Sequence, residues 1–182
     1  MVPIYLIHPI VVHFPIVLFI LVLVFDAIIL VRGGDLAART TLATTAFWLT
    51  WAGVVAATAA AGFGVIAMNH AATAGFPTDH IYEHAGYARI TQIIFIALAI
   101  ALSLLRWRKI ATTGIRAGLV TLVVLVGVIY VGLTAYHGGH LVYEMGVNVQ
   151  GVTPAMAHDL ARQHEHEHGD DHDHEHASPE PQ

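Results

Sequence analysis

Histidines clustered beside apolar segments are the residues of this chain most able to do chemistry. The sequence holds fourteen histidines, and half of them lie in or next to four long hydrophobic segments. Those seven are His8, His13, His70, His80, His84, His137 and His140. Neutral imidazole binds transition metals and haem iron, and ionisable residues inside membrane segments usually mark functional sites. The pattern therefore predicts a bound metal or haem.

The amino-acid composition limits the class of protein to which these histidines belong. Of 182 residues, 56% are hydrophobic and only 12% are charged, which is too apolar for an ordinary soluble domain. Cysteine is absent from the sequence, which excludes disulfides, thiolate sites and covalently attached haem. The net charge of −5 arises from the C-terminal residues, so nucleic-acid binding has no support. We predict an integral membrane protein with an all-α fold.

Four segments are long enough to cross a bilayer, which takes about 20 mostly apolar residues. They are residues 9–31, 42–67, 85–105 and 117–136, approximately, within a four-helix transmembrane domain of residues 1–150. Six of the eight Lys and Arg residues lie in the loops after the first and third segments. By the positive-inside rule these loops are cytoplasmic and both termini are outside. Alternating helix direction then brings all seven histidines to the outer face.

The segment after the fourth span, residues 137–149, contains the glycine pair Gly138 and Gly139. Glycine permits a sharp turn with positive φ, and the following apolar residues are too few to span a bilayer. We predict that this segment folds back over the outer face as a lid, and a plain interfacial loop is the alternative.

Two further features of the spans have a structural and a functional interpretation. Small residues such as Ala60, Gly62 and Gly64 line the outer part of the second span, where they permit close helix packing or contact with a flat cofactor. Asp26 is an acid inside the first span, near its cytoplasmic end. We expect it to form a structural ion pair with a basic residue of the nearby loops, Arg32, Arg39 or Lys109, in preference to acting as a proton relay.

The C-terminal tail, residues 151–182, alternates histidine with acidic residues and is predicted to be disordered. Imidazole and carboxylate donors bind divalent ions such as zinc, copper or nickel. A solvated spacer is the alternative. The histidines predicted to bind metal there are His164, His166, His168, His172, His174 and His176.

Two motifs carry a resemblance to a known family. One is the run His8-Pro9-Ile10-Val11-Val12-His13-Phe14-Pro15, and the other is His137-Gly138-Gly139-His140-Leu141-Val142-Tyr143 followed by Gly146-Val147-Asn148-Val149. Over about residues 3–150 the chain resembles the domain of unknown function 2231 family, which consists of small bacterial membrane proteins with four predicted spans. Members of that family are found fused to Rieske or cytochrome c domains. The resemblance therefore implies electron-transfer surroundings and a bacterial inner (cytoplasmic) membrane location.

The predicted function is that of a membrane b-type haem protein that transfers electrons at the outer face, more an electron-transfer subunit than an independent enzyme. Two histidines from different helices hold the iron. The sequence favours His13 with His84 or His137, with His8 supporting a ligand or binding a second haem. Predicted partners are the lipid bilayer, an extracytoplasmic cytochrome or Rieske protein, and quinol. The alternatives are a metal-handling membrane protein that uses the tail and a non-catalytic anchor subunit of a respiratory complex.

Overall fold

The computed structural model describes residues 3–156 and 159, and its regular elements are all helical. They are a 3₁₀ turn at Ile4–Leu6 and the helices α1 (Ile7–Val11), α2 (His13–Val31), α3 (Thr41–Ala74), α4 (Asp79–Trp107) and α5 (Gly114–Tyr143). In this part of the chain four helical segments are long and apolar enough to cross a membrane, the first being Ile4–Val31. The prediction of an all-α membrane protein with four spans is confirmed.

Alternating helix direction gives the bundle two chemically different ends. The end where α1, α2 and α4 begin and where α3 and α5 finish is called the histidine end. The opposite end, with the loops of residues 32–40 and 108–113, is called the basic end. The two loops are joined there, because Asp35 Oδ1 accepts a hydrogen bond of 2.8 Å from the Thr112 backbone N–H. The Leu36 N–H also donates to the Thr112 carbonyl at 3.1 Å.

The first span is interrupted at Val12, between α1 and α2. Pro15 lies one turn further along, and proline has no N–H to donate to the carbonyl four residues before it. The regular hydrogen-bond pattern is therefore broken there, although the Val12 N–H still donates to the His8 carbonyl at 3.1 Å. His8 consequently lies in a separate short helix from His13, which begins α2.

Helices α3 and α5 extend further at the histidine end than the sequence predicted. Helix α3 continues to Ala74 and ends at Gly75, whose φ of 92° is the left-handed conformation typical of a helix C-terminus. Helix α5 continues through Gly138 and Gly139 to Tyr143, so the prediction of a turn at the glycine pair is wrong. Apolar contacts of Leu141 with its surroundings favour continuation of the helix over a turn.

The chain reverses after α5, at Gly146 with φ of 61° and Asn148 with φ of 58°. Asn148 Nδ2 donates to the Ala67 carbonyl of α3 at 3.0 Å. Met145 and Val147 are buried in an apolar cluster that includes residues from the ends of α3, α4 and α5. Residues 144–152 therefore pack on the histidine end of the bundle, with their turn several residues later than the sequence suggested.

The bundle is a ring in which α2 packs on α3, α3 on α4, α4 on α5 and α5 on α2. Two phenylalanines meet at its centre, where the Phe19 and Phe95 rings stack with centroids 3.6 Å apart and planes 5° apart. Each ring lies against a glycine of the next helix along the chain. The Phe19 ring of α2 lies against Gly53 of α3, and the Phe95 ring of α4 lies against Gly127 of α5. A methyl group on Gly53 would overlap the Phe19 ring, and one on Gly127 would lie 2.8 Å from the Phe95 ring.

These contacts reveal an internal repeat in which α1–α3 correspond to α4–α5. Phe19 and Phe95 are 76 residues apart, and so are His8 and His84. The glycine behind each phenylalanine, Gly53 or Gly127, recurs at an offset of 74 residues. Positions that match in the two halves therefore make equivalent contacts around the centre of the bundle.

Asp26 does not form the ion pair that the sequence suggested. The residue is buried, with 3% of its surface exposed. The ion pairs among the described residues all involve histidine and join it to Glu83 or Glu144, so the expected bridge to Arg32, Arg39 or Lys109 is absent from this part of the chain. The basic residues nearest in sequence lie beyond the end of α2, outside the apolar core.

The close contact between Gly53 and Phe19 gives a test of the packing. We expect Gly53→Ala to destabilise the bundle by about 1–3 kcal/mol, the usual cost of overfilling a packed core. Gly62→Ala in the same helix is the matched control, because nothing lies within 4 Å of the added methyl group. It should leave stability unchanged or raise it by about 0.5–1 kcal/mol. Unfolding midpoints in mixed detergent micelles measure both effects, and equal midpoints would contradict the packing.

Candidate functional site

His8 is held against α3 at the histidine end by its Nδ1 atom. This nitrogen lies 2.9 Å from the carbonyl oxygen of Ala60. The ring also rests on Gly64, since a methyl group there would lie 3.1 Å from His8 Cε1. Gly64 follows Ala60 by one helical turn, so its side chain would cover the Ala60 carbonyl. The missing side chain therefore gives the imidazole access to a backbone acceptor inside the bundle.

His84 of α4 is held against α5 in the same way. Its Nδ1 atom lies 3.0 Å from the carbonyl oxygen of Thr134. A methyl group on Gly138, one turn after Thr134, would lie 3.1 Å from His84 Cε1. The ring, its carbonyl and its glycine thus correspond to those of His8 through the internal repeat. The glycine behind each histidine recurs at the same 74-residue offset as the glycines behind the phenylalanines.

The two imidazole rings meet where the halves of the bundle come together. Their centroids are 6.2 Å apart, with an angle of 82° between the ring planes. A carbonyl oxygen only accepts hydrogen bonds, so the proton that each ring donates lies on Nδ1. Nε2 of the neutral ring then carries the lone pair, and within residues 3–156 neither Nε2 has a hydrogen-bond partner. The pair consequently presents two ring nitrogens with free lone pairs, and the hydrogen bond at Nδ1 orients each ring.

His137 lies beside this pair, but both of its nitrogens are engaged. Nδ1 is 2.9 Å from the Leu133 carbonyl of its own helix. Nε2 is 3.2 Å from Oε1 of Glu83, the residue before His84. The Tyr87 ring lies over the imidazole at a centroid distance of 4.4 Å. His137 is thus suited to fix Glu83 and the ends of α4 and α5 next to the site.

His13 lies apart from the pair. Its side chain is exposed, whereas His8 and His84 are partly buried. Val12 keeps helical dihedral angles, with φ of −60° and ψ of −24°. His13 follows His8 by five residues, so it lies about 140° further round the helix. The structure therefore brings His8, and not His13, next to His84.

The other histidines of the bundle make surface contacts at the same end. The His70 ring stacks on Tyr5 at 3.7 Å, and its Nδ1 lies 3.0 Å from Asn148 Oδ1. His140 pairs with Glu144 at 2.7 Å, and its ring lies 5.3 Å from that of His80. In the described part of the chain, no group of three or more His, Asp or Glu residues could hold a metal ion. A conventional metal site built from helix-end histidines has no support there.

The tail histidines predicted to bind metal lie outside the described residues. These are His164, His166, His168, His172, His174 and His176.

The sequence contains a signal for residues of the site that its motifs alone do not identify. From the motifs, the small-residue stretch around Gly64 has two interpretations, and the pair Gly138 and Gly139 predicts a turn. The recurrence of His8 and Phe19 as His84 and Phe95, together with that of Gly53 and Gly64 as Gly127 and Gly138, would have paired the correct histidines.

The four long apolar helices place this chain in the class of integral membrane proteins with a helical bundle. A histidine pair lies at one end of that bundle. The chain belongs to the DUF2231 family, described as predicted membrane proteins, whose family model matches residues 5–151. This confirms the resemblance noted from the sequence motifs. No curated protein and no solved structure matches the chain significantly.

The hydrogen bonds to Ala60 and Thr134 predict the tautomer of both rings. We expect histidine-selective nitrogen-15 NMR to find the proton of His8 and of His84 on Nδ1. Gly64→Ala should displace the His8 ring and shift its resonances while those of His84 keep their positions, because the added methyl would lie 3.1 Å from His8 Cε1 only. Gly62→Ala is the control that should change neither. A proton on Nε2 in both rings would contradict the arrangement.

Proposed function

We propose that this protein is an integral membrane b-type haem protein and that His8 and His84 would hold the haem iron. The observation that carries the proposal is the pair of half-buried imidazoles, each fixed through Nδ1 to a backbone carbonyl and each with an unengaged Nε2. A hydrogen bond at Nδ1 is the usual means of orienting a histidine that binds metal through its other nitrogen.

The spacing of the rings fits a single metal atom between them. Metal–imidazole bonds are about 2.0–2.1 Å long, so two rings that bind one atom from opposite sides have centroids about 6 Å apart. The His8 and His84 centroids are 6.2 Å apart. The two histidines come from different halves of the bundle, so binding would also join the halves.

The donor set favours haem over a bare ion. Protein sites for zinc usually supply three or four ligands, whereas the described residues offer no group of three at this end. A porphyrin supplies the remaining four donors itself, so two imidazoles are sufficient. The absence of cysteine from the sequence excludes the covalent c-type attachment. The same two rings are therefore suited to a non-covalently bound haem.

A bound haem supplies a one-electron carrier, and this chain's residues determine where that carrier would lie. Gly64 and Gly138 admit the rings to the bundle, while Glu83 and His137 contact each other beside them. The histidines of the bundle all belong to one end, and residues 14–69 include none. This distribution favours an electron relay along one membrane face over conduction across the bilayer through stacked haems.

The proposed setting follows from the basic loops and from the family. With those loops in the cytoplasm, the histidine end faces outward from a bacterial inner membrane and both termini are outside. The relay would then take electrons from a quinol and deliver them to an extracytoplasmic cytochrome or Rieske protein.

The test is the absorption spectrum of protein purified from cells with adequate haem supply. We expect a reduced-minus-oxidised difference spectrum with the α band of a b-type cytochrome. His8→Ala and His84→Ala should each remove most of the bound haem, because each leaves only one imidazole. His13→Ala is the matched control and should keep the spectrum, since His13 is exposed and apart from the pair. A wild-type protein without the band, or equal loss in all three variants, would sink the proposal.

A second candidate function rests on the composition of the tail. Its alternating histidines and carboxylates are suited to gathering divalent ions such as zinc, copper or nickel. Deleting residues 158–182 separates the two functions. We expect the haem spectrum to survive the deletion while divalent-metal binding, measured by calorimetry on the purified protein, falls sharply. Loss of the haem band on deletion would instead place a haem ligand in the tail.

A further inference from the structure

Asp26 is a buried acid in the half of the bundle away from the histidines. It lies in α2, less than two turns from the basic end, and only 3% of its surface is exposed. Its Oδ2 atom is fully buried and has no hydrogen-bond partner among the described residues. An unpaired carboxylate in an apolar interior is so costly that the group is usually neutralised or functional. The contacts of the fold therefore do not explain why an acid stands at this buried position.

Thr121 of α5 is the other residue in the described chain whose side chain has a buried polar atom without a partner, namely Oγ1. Ile29 of α2 and Ala117 of α5, each about one turn from Asp26 or Thr121 toward the basic end, share one buried apolar cluster, which indicates a similar depth for Asp26 and Thr121. Gly127 contacts Phe95, which stacks on Phe19, so these three residues share one level of the bundle. Thr121 is six residues from Gly127 toward the basic end, and Asp26 is seven from Phe19 in that direction. At the helical rise these separations are about 9 and 10 Å, and α2 packs directly on α5.

The internal repeat shows that the packing does not require polar residues at these two positions. Asp26 corresponds to Leu102 and Thr121 to Phe47, through the same offsets that relate the histidines and the glycines. Leu102 is buried in the central apolar cluster, and Phe47 packs against that cluster. Aspartate and threonine are smaller than leucine and phenylalanine, and two polar groups that line one gap can hold a buried water.

Three of the charged residues around the basic end are engaged elsewhere. Arg106 donates to the Ala43 carbonyl and to Thr44 Oγ1. Arg116 donates to the Ala111 carbonyl. Asp35 accepts from backbone N–H groups of the two loops. Among the described residues no ion pair reaches Asp26, including any with the loop residues Arg32, Arg39, Arg108 and Lys109. A negative charge on the Asp26 carboxyl would thus lack a compensating cation.

We propose that Asp26 and Thr121 form an intramembrane proton-binding site, in which Asp26 carries a proton at neutral pH and one water molecule links the two side chains. A metal cation is a poorer occupant, because hard cations take about six oxygen ligands and helix carbonyls are already hydrogen-bonded within their helices. The site is at the opposite end from His8 and His84, and it does not depend on haem binding.

Infrared spectroscopy of the full-length protein in lipid bilayers tests the proton directly. At about pH 8 solvated carboxyl groups are ionised, so a carboxylic acid C=O stretch above the amide I band reports a protected acid. We expect one such band, its loss in Asp26→Asn, and its shift in D₂O as the proton exchanges. A wild-type spectrum without a band sensitive to Asp26→Asn would overturn the proposal, and so would a band that fails to shift during prolonged exchange.

Two further variants separate the proposed site from a merely structural acid. Thr121→Val should shift the frequency of the acid band, since it removes one hydrogen-bonding partner of the linking water. Thr58→Val is the matched control and should leave the band unchanged, because Thr58 lies on the histidine side of Gly53, where its hydroxyl donates to the Val54 carbonyl and accepts from Gln92 Nε2. Equal spectra in both variants would exclude Thr121 from the site.

Asp26→Leu copies the residue found at the matching position of the other half. We expect it to fold and to have an unfolding midpoint at least as high as that of the wild type, because no native ion pair is lost. A protein that fails to fold would show that the carboxyl has a structural role, which would contradict the proposal.

Discussion

The packing of an aromatic ring on a glycine of the following helix is the contact on which this bundle depends. It occurs at two levels in each half, with Phe19 and His8 on α3 and with Phe95 and His84 on α5. Within each half the two rings are separated by eleven residues, as are the two glycines behind them. Eleven residues make about three helical turns. Both rings of a half therefore project from nearly the same side toward the centre, even across the break at Val12.

The same contact has different consequences at the two levels because the rings differ in chemistry. Phenylalanine has no polar atom, so the stack of Phe19 on Phe95 only joins the halves. Histidine has an N–H that requires an acceptor inside a membrane protein, and the bare backbone beside Gly64 or Gly138 supplies one. Meeting this requirement also orients the ring and directs its second nitrogen away from the backbone. The same packing of a ring on a glycine therefore produces two oriented imidazoles at the histidine end.

The sequence was sufficient to predict the membrane class, the four spans and the gathering of histidines at one end, because these follow from apolar length and alternating direction. The choice between His8 and His13 needs the recurrence of His8 as His84, because both histidines lie near the start of the first span. Five residues separate the two, so a regular helix turns them to sides about 140° apart. The pair Gly138 and Gly139 predicts a turn from the sequence alone, whereas α5 continues through both glycines. Glycine permits both a turn and close packing, and the neighbouring helix decides between them.

Comparison of matching positions in the two halves shows which residues the packing of the fold requires. Matching positions such as Gly53 and Gly127 are the same residue because both halves need the same close contact. Asp26 and Leu102 match in position but not in chemistry, so Asp26 is the one that packing leaves unexplained. The two ends of the bundle consequently have different chemistry built on one framework.

Electron paramagnetic resonance of the oxidised, purified protein reports the ligands of ferric haem and so decides whether His8 and His84 hold the iron. We expect a low-spin ferric signal with the large anisotropy typical of nearly perpendicular imidazole planes, which the 82° angle between the His8 and His84 rings favours. A high-spin signal, or no haem iron signal in protein from haem-sufficient cells, would rule out the two-histidine haem site.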